Sequence, residues 1–157
     1  MSIFSKSTTS VLTTSGVSTV LRSKDILGID RFWNEELTRA TKGRLFGCSF
    51  DDLSSDRSGI SGAKVQGLIG NHSYSVLRAL ACHGKRFVVL RNPWGNSEWT
   101  GKWSDGSKEW TQEWLPFLTE MGHEFGDDGQ FVMECRDPRA FNALRPFIFV
   151  LAQTRIG

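Results

Sequence analysis

The apolar residues of the chain fall mostly in short β-prone runs, and the clearest two lie in the middle of the sequence. Tyr74 to Cys82 and Arg86 to Arg91 are separated by His83-Gly84-Lys85. A glycine between two such runs supplies the left-handed backbone conformation that a tight hairpin turn needs. The pattern therefore predicts two antiparallel strands joined near Gly84.

Further β-prone runs lie on both sides of this hairpin. They predict strands at Arg44 to Phe50, Gln130 to Cys135 and Phe147 to Gln153. Between the first of these runs and the hairpin, Asp51 to Lys64 is rich in serine, glycine and aspartate, a composition that predicts a surface loop. The sheet is therefore expected to be largely antiparallel.

Two segments have helical features. Asp30 can cap a helix in which Trp33 and Leu37 share one face, and Gly43 provides a stop. A second helix is predicted from about Thr111 to Met121. One helix at the start, followed by mainly antiparallel strands, is typical of an α+β domain.

The chain begins with a segment that has no clear helical or strand period. It is rich in Ser and Thr with isolated aliphatic residues, so we expect residues 1–14 to lack regular structure. Residues 15–157 then form one domain, and the 157-residue chain is long enough to bury a core without metals or disulfides. A mitochondrial transit peptide shares the acid-free composition of residues 1–24, but the poor amphipathic pattern disfavours that alternative.

Composition disfavours several kinds of partner. The formal charge of +2 comes from interspersed signs with no basic run, which argues against nucleic acid. No stretch approaches the roughly 20 apolar residues that span a bilayer, so no membrane span is expected. Three cysteines at irregular spacings, with no secretory signal, favour a reducing, cytoplasmic location.

Candidate chemistry lies at the open end of the predicted hairpin. His72 precedes one strand, and Asn92 follows its partner twenty residues later, so antiparallel pairing brings the two side chains close together. An imidazole that acts as a base toward a thiol must keep one tautomer and one orientation. An amide oxygen that accepts the other ring N–H provides both. Spacing alone leaves a structural His72 and a turn-forming Asn92-Pro93 as the simpler interpretation.

Longer motifs around these residues favour the catalytic interpretation. Three successive segments resemble motifs of the calpain family of calcium-dependent cysteine endopeptidases, namely Gly67 to Val76, Arg91 to Gly95 and Glu98 to Asp105. The resemblance extends over about residues 15–153. It implies the second subdomain of a papain-like protease core, an antiparallel, barrel-like sheet with a few flanking helices. It also implies that His72 is the catalytic base, that Asn92 orients it, and that Trp94 shields the pair from water.

The same resemblance implies a calcium ion. The matching positions are Glu98, Asp105, Asp128 and Gln130, the last of which replaces a more usual acid. Carboxylates and other oxygen atoms are the ligands that calcium requires, and an amide in place of a carboxylate should weaken binding. Without the resemblance, the three acids are typical of solvated loops. No organic cofactor is expected.

A nucleophile is the part of such a protease that the sequence does not supply. Papain-like enzymes need a thiolate, which the family carries in a Gln-Gly-x-x-Gly-Asp-Cys-Trp type of segment in the first subdomain. Nothing similar occurs here, and Cys48, Cys82 and Cys135 lie in strand patterns as small hydrophobic residues. We therefore expect the chain alone to be inactive, with a protein or peptide substrate and a Cys-bearing first subdomain as its partners.

Three interpretations stay open at this point. The chain is a fragment of a longer calpain-like protein, a relic whose other half was lost, or a non-catalytic module. The last includes a pseudoprotease that still binds calcium or a protein, and a binding module whose closely spaced tryptophans stack on sugars or proline-rich peptides. These tryptophans are Trp94, Trp99, Trp103, Trp110 and Trp114.

Overall fold

A computed structural model describes residues 9–13, 16–22, 29–35, 37–39, 45–50, 64–69, 72–135 and 147–152. These residues form nine strands, two α-helices and one 3₁₀ turn. The strands are β1 (Thr9–Thr13), β2 (Gly16–Arg22), β3 (Leu45–Phe50), β4 (Lys64–Val65), β5 (Leu68–Ile69), β6 (Ser73–Cys82), β7 (Lys85–Arg91), β8 (Gln130–Cys135) and β9 (Phe147–Ala152). The helices are α1 (Ile29–Glu35) and α2 (Phe117–Met121), and the 3₁₀ turn is Leu37–Arg39.

Seven of these strands form one sheet, in the order β1-β2-β9-β3-β6-β7-β8, while β4 and β5 pair separately. All pairs are antiparallel. The predicted α+β class with an antiparallel sheet is therefore confirmed. Among the described strands, the large sheet is open rather than closed into a barrel, with β1 and β8 at its edges.

The β6–β7 hairpin positions the candidate site. Cys82 pairs with Lys85 across a two-residue turn, His83-Gly84, whose φ angles are 45° and 73°. Two successive positive φ angles match the twist of antiparallel strands, and the turn is one residue shorter than predicted. Toward the open end, the register shifts between Val76 and Arg78, a β-bulge that adds one residue to β6.

Both faces of β7 are covered. The side chains of Val88 and Leu90 belong to one hydrophobic cluster, which includes Trp33 of α1. Those of Phe87 and Val89 belong to a second cluster, which the Trp-rich segment after β7 covers. Because a strand that is buried on both faces needs apolar residues at successive positions, β7 lacks the alternation of a half-exposed strand.

The other predicted elements agree with the structure except at a few boundaries. The runs at 44–50, 130–135 and 147–153 correspond to β3, β8 and β9. The second predicted helix is reduced to α2, which begins after Pro116. Proline lacks an N–H and disfavours helical backbone at the residue before it, so residues 111–116 form turns instead.

Part of the N-terminal segment forms a strand. Thr9–Thr13 is β1, which pairs with β2, and β2 pairs in turn with β9. Thr and Val favour extended backbone once a partner strand is available, although the sequence shows no period there. Of the loop predicted from Asp51 to Lys64, residues 51–63 lie outside the described residues, as do residues 1–8, while Lys64 begins β4 instead. Within the described part of the chain, no helix is both long and apolar enough to cross a membrane.

Candidate active site

His72 and Asn92 meet at the open end of the β6–β7 hairpin. His72 directly precedes β6 and Asn92 directly follows β7, and the register that pairs Ser75 with Arg91 carries both residues to the same end. The distance from His72 Nε2 to Asn92 Oδ1 is 2.8 Å. The two side chains are therefore in hydrogen-bond contact.

The orientation of the Asn92 amide is fixed by its surroundings. The residue is 0% exposed. Its Nδ2 donates to the backbone carbonyls of Asn96 at 2.7 Å and of Ser97 at 3.2 Å. Its Oδ1 accepts from the backbone N–H of Trp94 at 3.1 Å. Since the oxygen faces the imidazole, Nε2 of His72 must carry a proton and donate it.

This hydrogen bond selects one tautomer of His72. With the proton on Nε2, the lone pair of the neutral ring lies on Nδ1, which becomes the nitrogen that can take up a proton. The contact with Asn92 thus fixes both the ring orientation and the protonation pattern that a base toward a thiol requires.

Two aromatic rings flank the imidazole of His72. The ring centroid of Trp94 lies 4.3 Å from that of His72 with an interplanar angle of 49°, and Tyr74 packs edge-on at 5.0 Å. Tyr74 is buried, and its hydroxyl accepts from the N–H of Ile69 at 2.9 Å. Trp94 is 61% exposed. The Trp94 ring, which was predicted to shield the pair, therefore lies on the solvent-facing side of His72.

The three cysteines are free and buried. Burial raises the pKa of Cys135 to about 12, and it also raises the pKa values of Cys48 and Cys82 above their ordinary value. A nucleophilic cysteine needs the opposite shift, because the thiolate is the reactive form. None of the three thiols has the environment of an activated nucleophile.

The four residues predicted to bind calcium are only partly brought together. Glu98 and Asp105 line an open cleft of about 630 Å³, whereas Asp128 and Gln130 lie outside its lining. Oε1 of Glu98 accepts from the backbone N–H groups of Asp128 at 3.0 Å and Gly129 at 2.8 Å. Oδ1 of Asp128 accepts from the Gln130 N–H at 2.9 Å. Backbone donors therefore already occupy oxygens that a metal would use.

Asp105 is also engaged by protein groups. Its Oδ1 lies 2.6 Å from Nε2 of buried His123, and its Oδ2 accepts from the Gly126 N–H at 2.8 Å. Within the described residues, no three side chains of His, Cys, Asp or Glu are grouped closely enough to bind a metal ion. The predicted positions therefore do not form a preassembled calcium site.

The electrostatics of Glu98 reflect its crowded surroundings. Burial raises the pKa of Glu98 above its ordinary value, the Gly129 N–H opposes that rise, and the carboxylates of Asp105 and Asp128 add to it. The carboxylates of Asp105 and Asp128 therefore repel the carboxylate of Glu98. A cation would relieve this repulsion.

Several contacts of this region could not be predicted from the sequence. Ser97, His123 and Gly129 lie in loops, where neither periodicity nor spacing predicts a contact. His123 is 2% exposed, and its Nδ1 has no hydrogen-bond partner among the described residues. Its segment is rich in Gly and Asp, a composition that predicts exposure rather than burial.

Most of the closely spaced tryptophans belong to the core. Trp103 and Trp110 are buried with ring centroids 5.1 Å apart, and the ring of Trp114 lies 4.9 Å from that of Trp103. Among the five tryptophans after β7, all within the described residues, Trp94 alone is largely exposed. Packing therefore accounts for most of this composition, and little aromatic surface remains for stacking on a ligand.

Comparisons with known proteins point to one family. The family described as "Calpain family cysteine protease" matches residues 3–145. Calpain-9 of Mus musculus is 42% identical over 108 residues, which is 66% of this chain and 15% of the relative. Calpain-9 of Homo sapiens is 36% identical over 132 residues, 81% of this chain and 18% of the relative.

A further relative is the Calpain-1 catalytic subunit of Bos taurus. It is 38% identical over 113 residues, which is 67% of this chain and 15% of the relative. The chain therefore spans between 15% and 18% of the length of these three curated relatives.

Proposed function

The chain belongs to the calpain family of cysteine proteases, and from this premise we propose that it supplies the histidine and the asparagine of a papain-like active site. His72 acts as the general base, and Asn92 holds its ring in the reactive tautomer. Trp94 shields the hydrogen bond between them from water. The reaction is the hydrolysis of a peptide bond in a protein or peptide substrate.

One observation carries this proposal. Nε2 of His72 lies 2.8 Å from the oxygen of a fully buried amide, and backbone groups on both sides determine the orientation of that amide. An asparagine that only opens a turn before Pro93 has no need of such a buried network. The amide is also neutral, so His72 can become an imidazolium without forming a permanent ion pair.

The nucleophile in this proposal comes from a first subdomain. Its thiol faces Nδ1 of His72, which takes the thiol proton, and the thiolate attacks the substrate carbonyl carbon. His72 then gives the proton to the leaving amine, and water hydrolyses the thioester. Because burial raises the pKa values of the chain's own thiols, we expect no peptidase activity from this chain alone.

Reconstitution with the missing half tests the proposal. The chain is mixed with the Cys-bearing first subdomain of a calpain relative in the presence of calcium, and cleavage of a fluorogenic peptide is followed. We expect the wild type to restore turnover and His72→Ala to lower it by about 10²–10⁴-fold, the range for loss of a general base. Asn92→Ala should lower kcat rather than raise KM, because the amide acts on the reacting pair.

Lys108→Ala, a change at an exposed residue outside the site, serves as the matched control and should leave turnover unchanged. The relative's own two subdomains, mixed in the same way, show that the assay can detect reassociation. If that pair cleaves the peptide while the wild-type chain does not, the proposal is rejected.

Calcium binding at the acidic cleft is a finer proposal. Glu98 and Asp105 line the cleft, and a cation would offset the repulsion among its carboxylates. Because Asp105 is bonded to His123 and Gly126, binding requires these loops to rearrange. Calorimetric titration with calcium should give heat for the wild type and for Glu124→Ala, an exposed acid outside the cleft, but none for Asp105→Ala. A flat wild-type trace would reject calcium binding.

We also propose that the protein acts in the cytoplasm. The three cysteines are free, as expected in a reducing compartment. Fractionation of cells that express the chain should place it in the soluble fraction, whereas recovery in mitochondria would contradict this location.

A further inference from the structure

Asn92 is held within a closed ring of contacts in which Glu98 is the last link. On one side, Nδ2 of Asn92 donates to the carbonyl of Ser97 at 3.2 Å, and Glu98 follows Ser97 directly in the chain. On the other side, the backbone N–H of Asn92 donates to the carbonyl of Gly129 at 2.8 Å. Oε1 of Glu98 accepts from the N–H of that same Gly129, also at 2.8 Å. The ring therefore runs from Asn92 through Gly129, Glu98 and Ser97 back to Asn92.

Gly129 is fitted tightly into this ring. Its φ is +83°, and a Cβ at this position would lie 2.9 Å from the carbonyl oxygen of Asn92 and 2.9 Å from Cα of Gly95. Only glycine adopts that backbone conformation without cost and leaves room for so close an approach. The turn that begins β8 therefore touches the backbone of Asn92 directly.

Ser97 contributes a strained link on the opposite side. Its φ is 63°, a left-handed conformation that is unfavourable for a non-glycine residue and persists only where the surroundings hold it. The contacts that hold it are the hydrogen bond from Asn92 to its carbonyl and the anchoring of the next residue, Glu98. Loss of the Glu98 contacts would free Ser97 to relax, and its carbonyl would then leave the Asn92 amide.

The carboxylate of Glu98 is well suited to close the ring. It is partly buried, and one oxygen accepts two backbone N–H groups, from Asp128 and Gly129. Hydrogen bonds to an ionised acceptor are stronger than bonds between neutral groups. The contacts use Oε1 as a hydrogen-bond acceptor, which a glutamine oxygen can replace.

We propose that Glu98 is a positioning residue for the His72–Asn92 pair, tying the turn at Gly129 to the loop at Ser97 so that the amide of Asn92 keeps His72 in its Nε2–H tautomer. The inference rests on the proposed function of that pair and deepens it. Glu98 acts through backbone hydrogen bonds, so the effect does not require a bound metal. A glutamine at this position should preserve it, and an alanine should not.

Nuclear magnetic resonance of the full 157-residue chain, in buffer with a chelator, tests this role. The imidazole ¹⁵N shifts of His72 report its tautomer, and hydrogen exchange of the Asn92 backbone amide reports its bond to Gly129. The amide of Val132, in the middle of β8, reports stability remote from the ring. The variants are Glu98→Ala, Glu98→Gln and, as the matched control, Asp127→Ala, which removes an exposed acid from the same loop region.

We expect Glu98→Ala to speed exchange at Asn92 by roughly tenfold, the effect of losing hydrogen bonds to a charged acceptor, and to shift His72 toward a mixture of tautomers. Exchange at Val132 should change much less. Glu98→Gln and Asp127→Ala should resemble the wild type in both signals. If Glu98→Ala leaves His72 and Asn92 unchanged, or changes Val132 equally, Glu98 has no specific positioning role.

A second variant covers the case in which Glu98→Ala does not fold. Glu98→Asp keeps the charge but withdraws the carboxylate by one methylene, so it should also loosen Asn92 and His72 while Glu98→Gln does not. Equal behaviour of the Asp and Gln variants would overturn the inference. Its failure is distinct from failure of the proposed function, because the wild-type chain would still hold His72 in the Nε2–H tautomer and restore turnover in the reconstitution assay.

Discussion

Two histidines of the chain use the same ring nitrogen to contact two different kinds of oxygen acceptor. Nε2 of His72 lies 2.8 Å from the amide oxygen of Asn92, and Nε2 of His123 lies 2.6 Å from the carboxylate of Asp105. His72 is partly exposed beneath the exposed ring of Trp94, whereas the His123 side chain is fully buried. One imidazole stands at the protein surface, and the other is enclosed between loops.

The difference shows how the partner determines what an imidazole can do. A neutral amide orients His72 with the lone pair of the neutral ring on Nδ1, the nitrogen that can take up a proton. The carboxylate of Asp105 binds His123 through a charge-assisted contact, and Nδ1 of His123 is buried with no hydrogen-bond partner among the described residues. His72 is therefore the histidine that is available for proton transfer, whereas His123 is a structural residue that holds a loop in place.

Replacing the neutral amide partner of His72 by a carboxylate should have the largest effect on the free energy of unfolding. Asn92→Asp removes the two hydrogen bonds that Nδ2 donates and places a carboxylate against the carbonyls of Asn96 and Ser97, at a position that is 0% exposed. We expect the free energy of unfolding to fall by about 4 kcal/mol, as for a buried charge without adequate partners. Urea denaturation followed by tryptophan fluorescence measures it.

Asn96→Asp is the matched control for this exchange, because it makes the same chemical change on an exposed side chain. Its effect should stay within about 0.5 kcal/mol. A wild-type-like Asn92→Asp would mean that the amide nitrogen is not held by the two carbonyls, and the assignment of the His72 tautomer would lose its basis.

Removing each imidazole in turn should have the next largest effect on stability and should distinguish the two histidines. His123→Ala leaves a cavity and takes away one of the donors of Asp105, so it should lower the free energy of unfolding by about 3 kcal/mol. His72→Ala removes a partly exposed ring and should cost less than about 1 kcal/mol. Both values come from the same urea titrations. Similar costs for the two variants would remove the distinction between a structural and a chemically available histidine.

Alanine substitutions at two glycines test whether contact with Asn92 constrains Gly129. Gly129→Ala combines a positive φ with close approach to Asn92 and Gly95, so we expect a loss of about 2–3 kcal/mol. Gly106→Ala has a similar φ of +69° but open space around its Cβ, and it should cost only about 1 kcal/mol. Thermal or urea unfolding gives the comparison. Equal losses would show that backbone conformation alone, and not contact with Asn92, constrains Gly129.

The sequence predicted one of these two regions much better than the other. His72 and Asn92 flank a hairpin, and antiparallel pairing is a local rule, so their proximity followed from counting residues on both sides of Gly84. The count did not reveal the β-bulge between Val76 and Arg78, because a bulge depends on packing of the whole sheet rather than on a local pattern.

The pattern of apolar and polar residues did not predict the contacts among the loops. Asp105 and His123 are 18 residues apart, and Glu98 and Gly129 are 31 apart, with no regular element to relate them. Acids in a Gly-rich segment are typical of solvated loops, and only the family resemblance implied metal ligands there. Only the folded structure shows that backbone N–H groups and a buried imidazole are hydrogen-bonded to these carboxylates.

The smallest expected effect concerns the pH dependence of Glu98, which joins the two regions. Burial raises the folded-state pKa of Glu98, with Asp105 and Asp128 adding to the rise. The folded state then binds a proton more readily than the unfolded chain, so ionised Glu98 lowers stability at neutral pH. This cost disappears as the pH falls through the raised folded-state pKa toward the ordinary value of glutamate.

Glu98→Gln removes the charge but keeps an oxygen that accepts from Asp128 and Gly129, so it isolates the cost of ionisation. We expect the variant to be more stable than the wild type at pH 7, by less than about 1 kcal/mol because the side chain is partly solvated, and the difference to vanish near about pH 4. Urea titrations between these limits measure it, with Glu124→Gln as the exposed control. An advantage of Glu98→Gln that grows as the pH falls would mean that the backbone donors outweigh burial and repulsion. Glu98 would then be held as an anion, and its hydrogen bonds would stabilise the His72–Asn92 pair most strongly at neutral pH.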